Sequence, residues 1–124
     1  MAYMQRSELA AWGELTAKEF LEKRGVLLLA NNYRNRYGEI DLIGIDADSY
    51  IFFEVKTRQS INFGFPEESV SEEKLLRIET VGWSFLEEKK AENEDWRIDI
   101  IAIIRDPKTA CYEIQWIKNV STEN

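Results

Sequence analysis

The chain predicts an α/β or α+β fold, with helices packed against one sheet. Two stretches, residues 7–23 and 69–91, carry apolar residues at helical spacing. Five short apolar or β-branched runs lie between and after them, separated by turn residues. The 124 residues, 44% of them hydrophobic, suffice for one core, so residues 1–124 are expected to form a single domain.

Each element has its own signal. Ser7 can cap a helix running to about Lys23 and ended by Gly25, with Leu9, Trp12, Thr16, Ala17, Phe20 and Leu21 as its apolar stripe. Val26–Tyr33 reads as a strand and Arg34–Gly38 as a polar turn. Glu39–Ile45 and Tyr50–Thr57 read as two strands around Asp46-Ala47-Asp48-Ser49. Arg58–Glu68, with Gly64 and Pro66, reads as a loop. Ser69 followed by Glu72 resembles a capping box. The helix behind it carries Leu75, Ile78, Gly82, Phe85 and Leu86 on one face and ends near Ala91. Trp96–Ile104 is a strand, Asp106-Pro107-Lys108 a turn, and Ala110–Ile117 the last strand. The order is α-β-β-β-α-β-β.

Composition narrows the chemistry. With no histidine, Ser-His-Asp and Cys-His catalysis and every His-ligated metal are excluded. One cysteine, Cys111, excludes an internal disulfide framework and is expected to be buried or neutral. A metal site would have oxygen ligands, which suits Mg²⁺, Mn²⁺ or Ca²⁺. No apolar run reaches the roughly 18 residues of a membrane span, and the N-terminus lacks the order of a signal peptide, so a cytoplasmic location is expected. The net charge of −7 argues against nucleic acid as partner. Its distribution weakens that argument: residues 67–95 hold ten acids and four bases, whereas residues 24–60 hold five of each.

The central hairpin carries the chemistry. A turn centred between Ala47 and Asp48 sets Asp41 opposite Glu54 and Glu39 opposite Lys56, all four on one face. Ile40 and Leu42 then face Val55 and Phe53 on the other. Opposed carboxylates repel, and a divalent cation removes the repulsion by using both as ligands. Lys56 beside it could hold an attacking water or the anionic transition state of phosphate-ester cleavage. The competing reading is a solvent-facing charge patch with Glu39–Lys56 as an ordinary cross-strand ion pair.

These residues also resemble a known family. Gly38-Glu39-Ile40-Asp41-Leu42-Ile43, followed by Phe53-Glu54-Val55-Lys56-Thr57-Arg58, is similar to the YraN family, bacterial proteins related to Holliday-junction resolvases in the PD-(D/E)XK nuclease superfamily. Gly13-Glu14, Ala17, Leu21, Gly25, Asn32-Tyr33-Arg34, Gly64, Glu68, Val70, Lys74, Arg97 and Asp99 fit the same pattern, so the resemblance spans nearly the whole chain. Ile40-Asp41 stands where the superfamily has Pro-Asp, and Val81-Gly82-Trp83 where a small residue is expected in the second helix. The resemblance implies a restriction-endonuclease-like αβββαβ core with a mixed central sheet. It implies that Asp41, Glu54 and the Val55 carbonyl hold Mg²⁺ or Mn²⁺, that Lys56 assists the nucleophile, and that Glu14 reaches the metal through water. Without it, Glu14 reads as a surface residue paired with Lys18.

Arg34, Arg36 and Arg58, with Tyr33, Tyr37 and Phe63 interleaved, could touch phosphates and stack on bases, or be solvated loop charge. Lys74 and Arg77 could extend that strip. Asp99 reads as a buried partner of Arg97 or of backbone. Trp12, Trp83 and Trp96 read as core, and Trp116, if exposed, as an interface residue in a homodimer. The functional expectation is a metal-dependent endonuclease-like protein acting on DNA rather than RNA, branched or structured DNA included. The alternatives are a non-catalytic nucleic-acid or protein adaptor on the same fold, and an acidic protein-interaction domain.

Overall fold

The computed structural model describes residues 3–60 and 70–120. Ser69, and Phe63, Gly64, Pro66 and Glu68 before it, lie outside them. The elements are α1 (Arg6–Lys23), β1 (Leu27–Asn35), β2 (Gly38–Asp46), β3 (Ser49–Gln59), α2 (Glu72–Glu88), β4 (Asp95–Arg105) and β5 (Tyr112–Val120). The strands form one sheet in chain order. Only the β3–β4 pair is parallel, with α2 in the connection between them. This is the restriction-endonuclease-like αβββαβ core with a mixed sheet, followed by one further strand.

A helix lies against each face of the sheet. Leu75, Ile78, Val81, Phe85 and Leu86 of α2 pack on Ile40, Ile43, Phe52 and Ile98. Ala17 and Leu21 of α1 pack with Leu42, Ile51, Phe53, Ile101 and Ile103 on the other face. β4 is buried without alternation from Ile98 to Arg105, as an apolar strand covered on both faces must be.

Local signals placed most elements within a few residues, with identifiable corrections. The first helix begins earlier than Ser7 allows: its N-cap is Gln5, whose N–H donates to Glu8 Oε1 at 2.9 Å. Ser71 caps α2, its Oγ accepting the Lys74 N–H at 3.1 Å. Gly25, at φ +89°, ends α1 in a conformation that suits glycine. Arg34 lies on β1 rather than in a turn, because Asn35 pairs with Gly38 and leaves Arg36-Tyr37 as a two-residue loop. Trp12 and Trp96 pack against the cores, but Trp83 is exposed. Trp116 does not offer a free face: it packs by Phe20 and Phe53, and its Nε1 donates to Asp99 Oδ2 at 2.8 Å. Cys111 is exposed rather than buried, sitting just before β5.

Gly82 is the small residue of α2. A Cβ there would lie 2.4 Å from the Phe52 ring. Gly82→Ala is therefore expected to lose about 1–3 kcal/mol through overpacking, despite alanine's better helix propensity. Urea unfolding measures it; an unchanged or higher midpoint would show that Phe52 yields without cost.

Candidate functional site

The β2–β3 ladder runs from Asp46–Ser49 to Leu42–Phe53, in the register that aims Asp41 at Glu54. Beyond Leu42–Phe53 it stops. There the Asp41 side chain replaces backbone: its Oδ2 accepts the Val55 N–H at 2.8 Å. A strand residue projects its N–H and C=O along the same edge, so the Val55 carbonyl also faces this fork.

The fork corrects two expectations. Ile40 joins the core under α2, whereas Leu42 joins the core under α1 with Phe53 and Val55. Alternation breaks at Asp41, between the Asn31–Leu42 and Tyr33–Ile40 pairs, where Asn32 takes φ +53°. Glu39 consequently turns to its β1 neighbour, and its carboxylate meets Arg34 at 3.1 Å instead of pairing with Lys56.

Asp41 and Glu54 line two openings. On the α1 side, a cleft of about 350 Å³ is also lined by Arg6, Glu14, Val55 and Lys56. On the α2 side, one of about 380 Å³ is lined by Gly38, Glu39, Lys74 and Arg77. Lys74 Nζ lies 3.4 Å from Glu54 Oε2. Glu14 is held by the Asn32 amide, which donates to Oε1 at 2.7 Å. Gly13 lets α1 come this close to β3, since a Cβ there would overlap the Thr57 side chain. Arg36 stacks over the Tyr37 ring at the β1–β2 tip, 4.9 Å from its centroid, and Arg58 is exposed on β3 and lines neither opening. Arg6 went unnoticed in the sequence, although Arg6, Ala10 and Glu14 share one helical face.

The electrostatics follow from burial. Burial raises the Asp41 carboxyl above the usual range, Glu39 adds to the rise, and the Val55 N–H and Lys74 oppose it. Burial also raises Glu54; Asp41 adds, and Lys74 and Lys56 oppose. Glu14 is raised by burial and by Asp41, against the Asn32 hydrogen bond and Lys18. Two carboxyls that resist ionising side by side suit a hard divalent cation, and the open edge at Val55 offers a third oxygen. Among the described residues no three acidic side chains converge closely enough to hold a metal alone. A cation would thus need the backbone carbonyl and water beside Asp41 and Glu54, and Glu14 would act from outside the ligand set.

Asp99 is a structural residue. Fully buried, it accepts from Arg97 Nε at 3.1 Å, from Trp116 Nε1 at 2.8 Å and from the Asn119 N–H at 2.8 Å.

Fold and site together define an α/β protein with a restriction-endonuclease-like core and a half-buried carboxylate pair where two of its strands diverge. Residues 13–103 match the uncharacterised protein family UPF0102. The chain is 36% identical over 116 residues to a UPF0102 protein of Caldicellulosiruptor saccharolyticus, covering 94% of this chain and 98% of the relative. It is 39% identical over 116 residues to one of Dictyoglomus turgidum, with the same coverage. One from Syntrophus aciditrophicus is 36% identical over 102 residues, 82% of this chain and 80% of that protein. The chain belongs to the UPF0102 family, the YraN family whose motifs it carries. No helix among the described residues is long and apolar enough to cross a membrane.

Proposed function

We propose that this protein hydrolyses phosphodiester bonds in DNA with the help of Mg²⁺ or Mn²⁺. The observation that carries the reading is the half-buried Asp41–Glu54 pair at the strand fork, open to both faces of the sheet and flanked by Lys56. Asp41, Glu54 and the Val55 carbonyl would hold the cation, which supplies Lewis acidity and lowers the pKa of water. Lys56 lines the α1-side opening with Glu14, where its ammonium can hold a water nucleophile and neutralise charge developing on phosphate. Asp41 keeps its geometry through the Val55 N–H. Lys74 lines the α2-side opening, and Arg34 and Arg36 lie on the adjoining hairpin tip, where they can meet backbone phosphates. The motif resemblance favours DNA over RNA and points to branched or structured substrates.

Incubating linear, flapped and four-way DNA with Mg²⁺ or Mn²⁺ tests this reading. Wild type is expected to cut at least one of them. Asp41→Ala should abolish cutting and calorimetric cation binding together, and Lys56→Ala should slow cutting by about 10²–10³-fold. Normal cutting by both variants would sink the mechanism. A non-catalytic adaptor is favoured by one observation: Lys74 already neutralises Glu54, and Glu39 already engages Arg34. That reading predicts salt-dependent DNA binding with no product under any divalent cation.

A further inference from the structure

A third cleft, of about 530 Å³, lies between the β1–β2 tip and α2. Asn35, Arg36 and Tyr37 line it from the hairpin; Thr80, Trp83, Ser84 and Glu87 line it from α2. Trp83 is 43% exposed and Tyr37 45%, and the two rings line the same cleft. Neither belongs to the core clusters. Arg36 lies over Tyr37 and its Nη2 donates to the Tyr37 hydroxyl at 2.8 Å, so the tip presents a ring and a cation as one unit.

This cleft is continuous with the carboxylate site. It shares Asn35, Arg36 and Tyr37 with a depression at the tip whose lining adds Arg34, Gly38 and Glu39. Gly38 and Glu39 in turn line the α2-side opening with Asp41, Glu54, Lys74 and Arg77. The Arg77 stem crosses Gly38 so closely that a Cβ there would stand 3.3 Å from it. On α2, Lys74, Arg77, Thr80 and Trp83 follow at steps of three, along a ridge that winds about half a turn round the helix from the α2-side opening to this cleft. Nine residues separate Lys74 from Trp83, about 13 Å along the helix.

We propose that Trp83 and Tyr37 form a stacking subsite for an unpaired nucleobase of the strand whose phosphate meets Asp41 and Glu54. The ligand class is single-stranded DNA, or a flap or branch arm with unpaired bases. A base brings a π-face for Trp83 and polar edges for Asn35, Thr80 and Ser84, and its phosphate brings a negative charge for Arg36, with Glu87 on the α2 wall acting against it. A base inside a duplex has no free face to offer. The inference rests on the proposed nuclease reading for its direction along the strand, but the stacking itself needs no catalysis.

The test measures binding, not cutting. A fluorescein-labelled single-stranded oligonucleotide and its duplex are titrated in EDTA with wild type, Trp83→Ala and Tyr37→Ala. Circular dichroism checks the fold, and both rings are exposed enough to be removed without opening the core. Trp83→Ala should weaken single-strand binding by about fivefold or more, the lower end of a lost base–aromatic stack, and Tyr37→Ala should also weaken it. Duplex binding should change less. A 2-aminopurine scanned along the strand should be quenched at one position in wild type and not in Trp83→Ala. Wild-type affinity in both aromatic variants overturns the subsite even if the protein cuts DNA. Weakened binding in a protein that cuts nothing retains the subsite and removes the nuclease.

Discussion

Asp41→Asn is expected to melt above wild type at neutral pH when divalent cations are absent, and below it when they are present. The amide oxygen can keep the Val55 N–H bond, and the amide N–H can donate to Glu54 where two carboxylates now repel. Burial holds the folded-state carboxyls of Asp41 and Glu54 above their unfolded values. Between those values the native state binds protons that the unfolded chain releases, so stability falls as pH rises through the window, and the penalty is complete once pH exceeds the folded-state values. Removing one charge should return about 1 kcal/mol, or roughly 3–5 °C in a chain of this size. It should also flatten the fall of stability with rising pH above the ordinary carboxylate value. Cation acts in the opposite direction on wild type: a ligand at a hundred times its Kd stabilises by about 2.7 kcal/mol, and Asp41→Asn should gain almost none of it. Thermal scans at several pH values, with and without Mg²⁺, decide the matter. A variant less stable than wild type in EDTA would mean that the two carboxyls do not strain the fold.

Asp99→Ala should be the most damaging single substitution at a polar residue, costing about 3–5 kcal/mol in urea unfolding. The change strands three donors at once: the Arg97 guanidinium, the Trp116 indole N–H and the Asn119 backbone N–H. Arg97 is further from its other carboxylate, Asp46, at 3.9 Å, which cannot replace Asp99. Asp99→Asn keeps an acceptor oxygen while removing the charge, and should cost less than the alanine change. A loss below about 1 kcal/mol for Asp99→Ala would show that water replaces the carboxylate.

The elements were legible because their signals are local. Helical spacing located both helices, and the Ala47-Asp48 turn set the hairpin register, which holds from Asp46–Ser49 to Leu42–Phe53. The candidate site was legible only in part. Asp41 and Glu54 do come together, and Lys56 lies beside them, because a regular hairpin points them there. The end of the ladder was invisible, since it depends on the break at Asn32 and on β3 committing its other edge to β4. That break is why Ile40 and Leu42 fall into different cores and why Glu39 meets Arg34. Lys74 at Glu54 and Arg6 near Glu14 needed knowledge of where the helices dock. The exposure of Trp83 could have been read from Gly82: with the glycine against Phe52, the next residue must turn away.

The parallel β3–β4 ladder also imposes an order of assembly. β1, β2 and β3 are joined by two-residue loops, so their pairings close over short stretches of chain. Every β3–β4 partner is 46 positions away, from Ser49–Asp95 to Gln59–Arg105, and that pairing must wait for a much larger loop-closure cost. The meander bearing Asp41 and Glu54 can therefore form early. Lys74, Arg77 and Trp83 arrive only when α2 closes the crossover, so the half of the candidate site that α2 supplies is completed only with that long-range pairing.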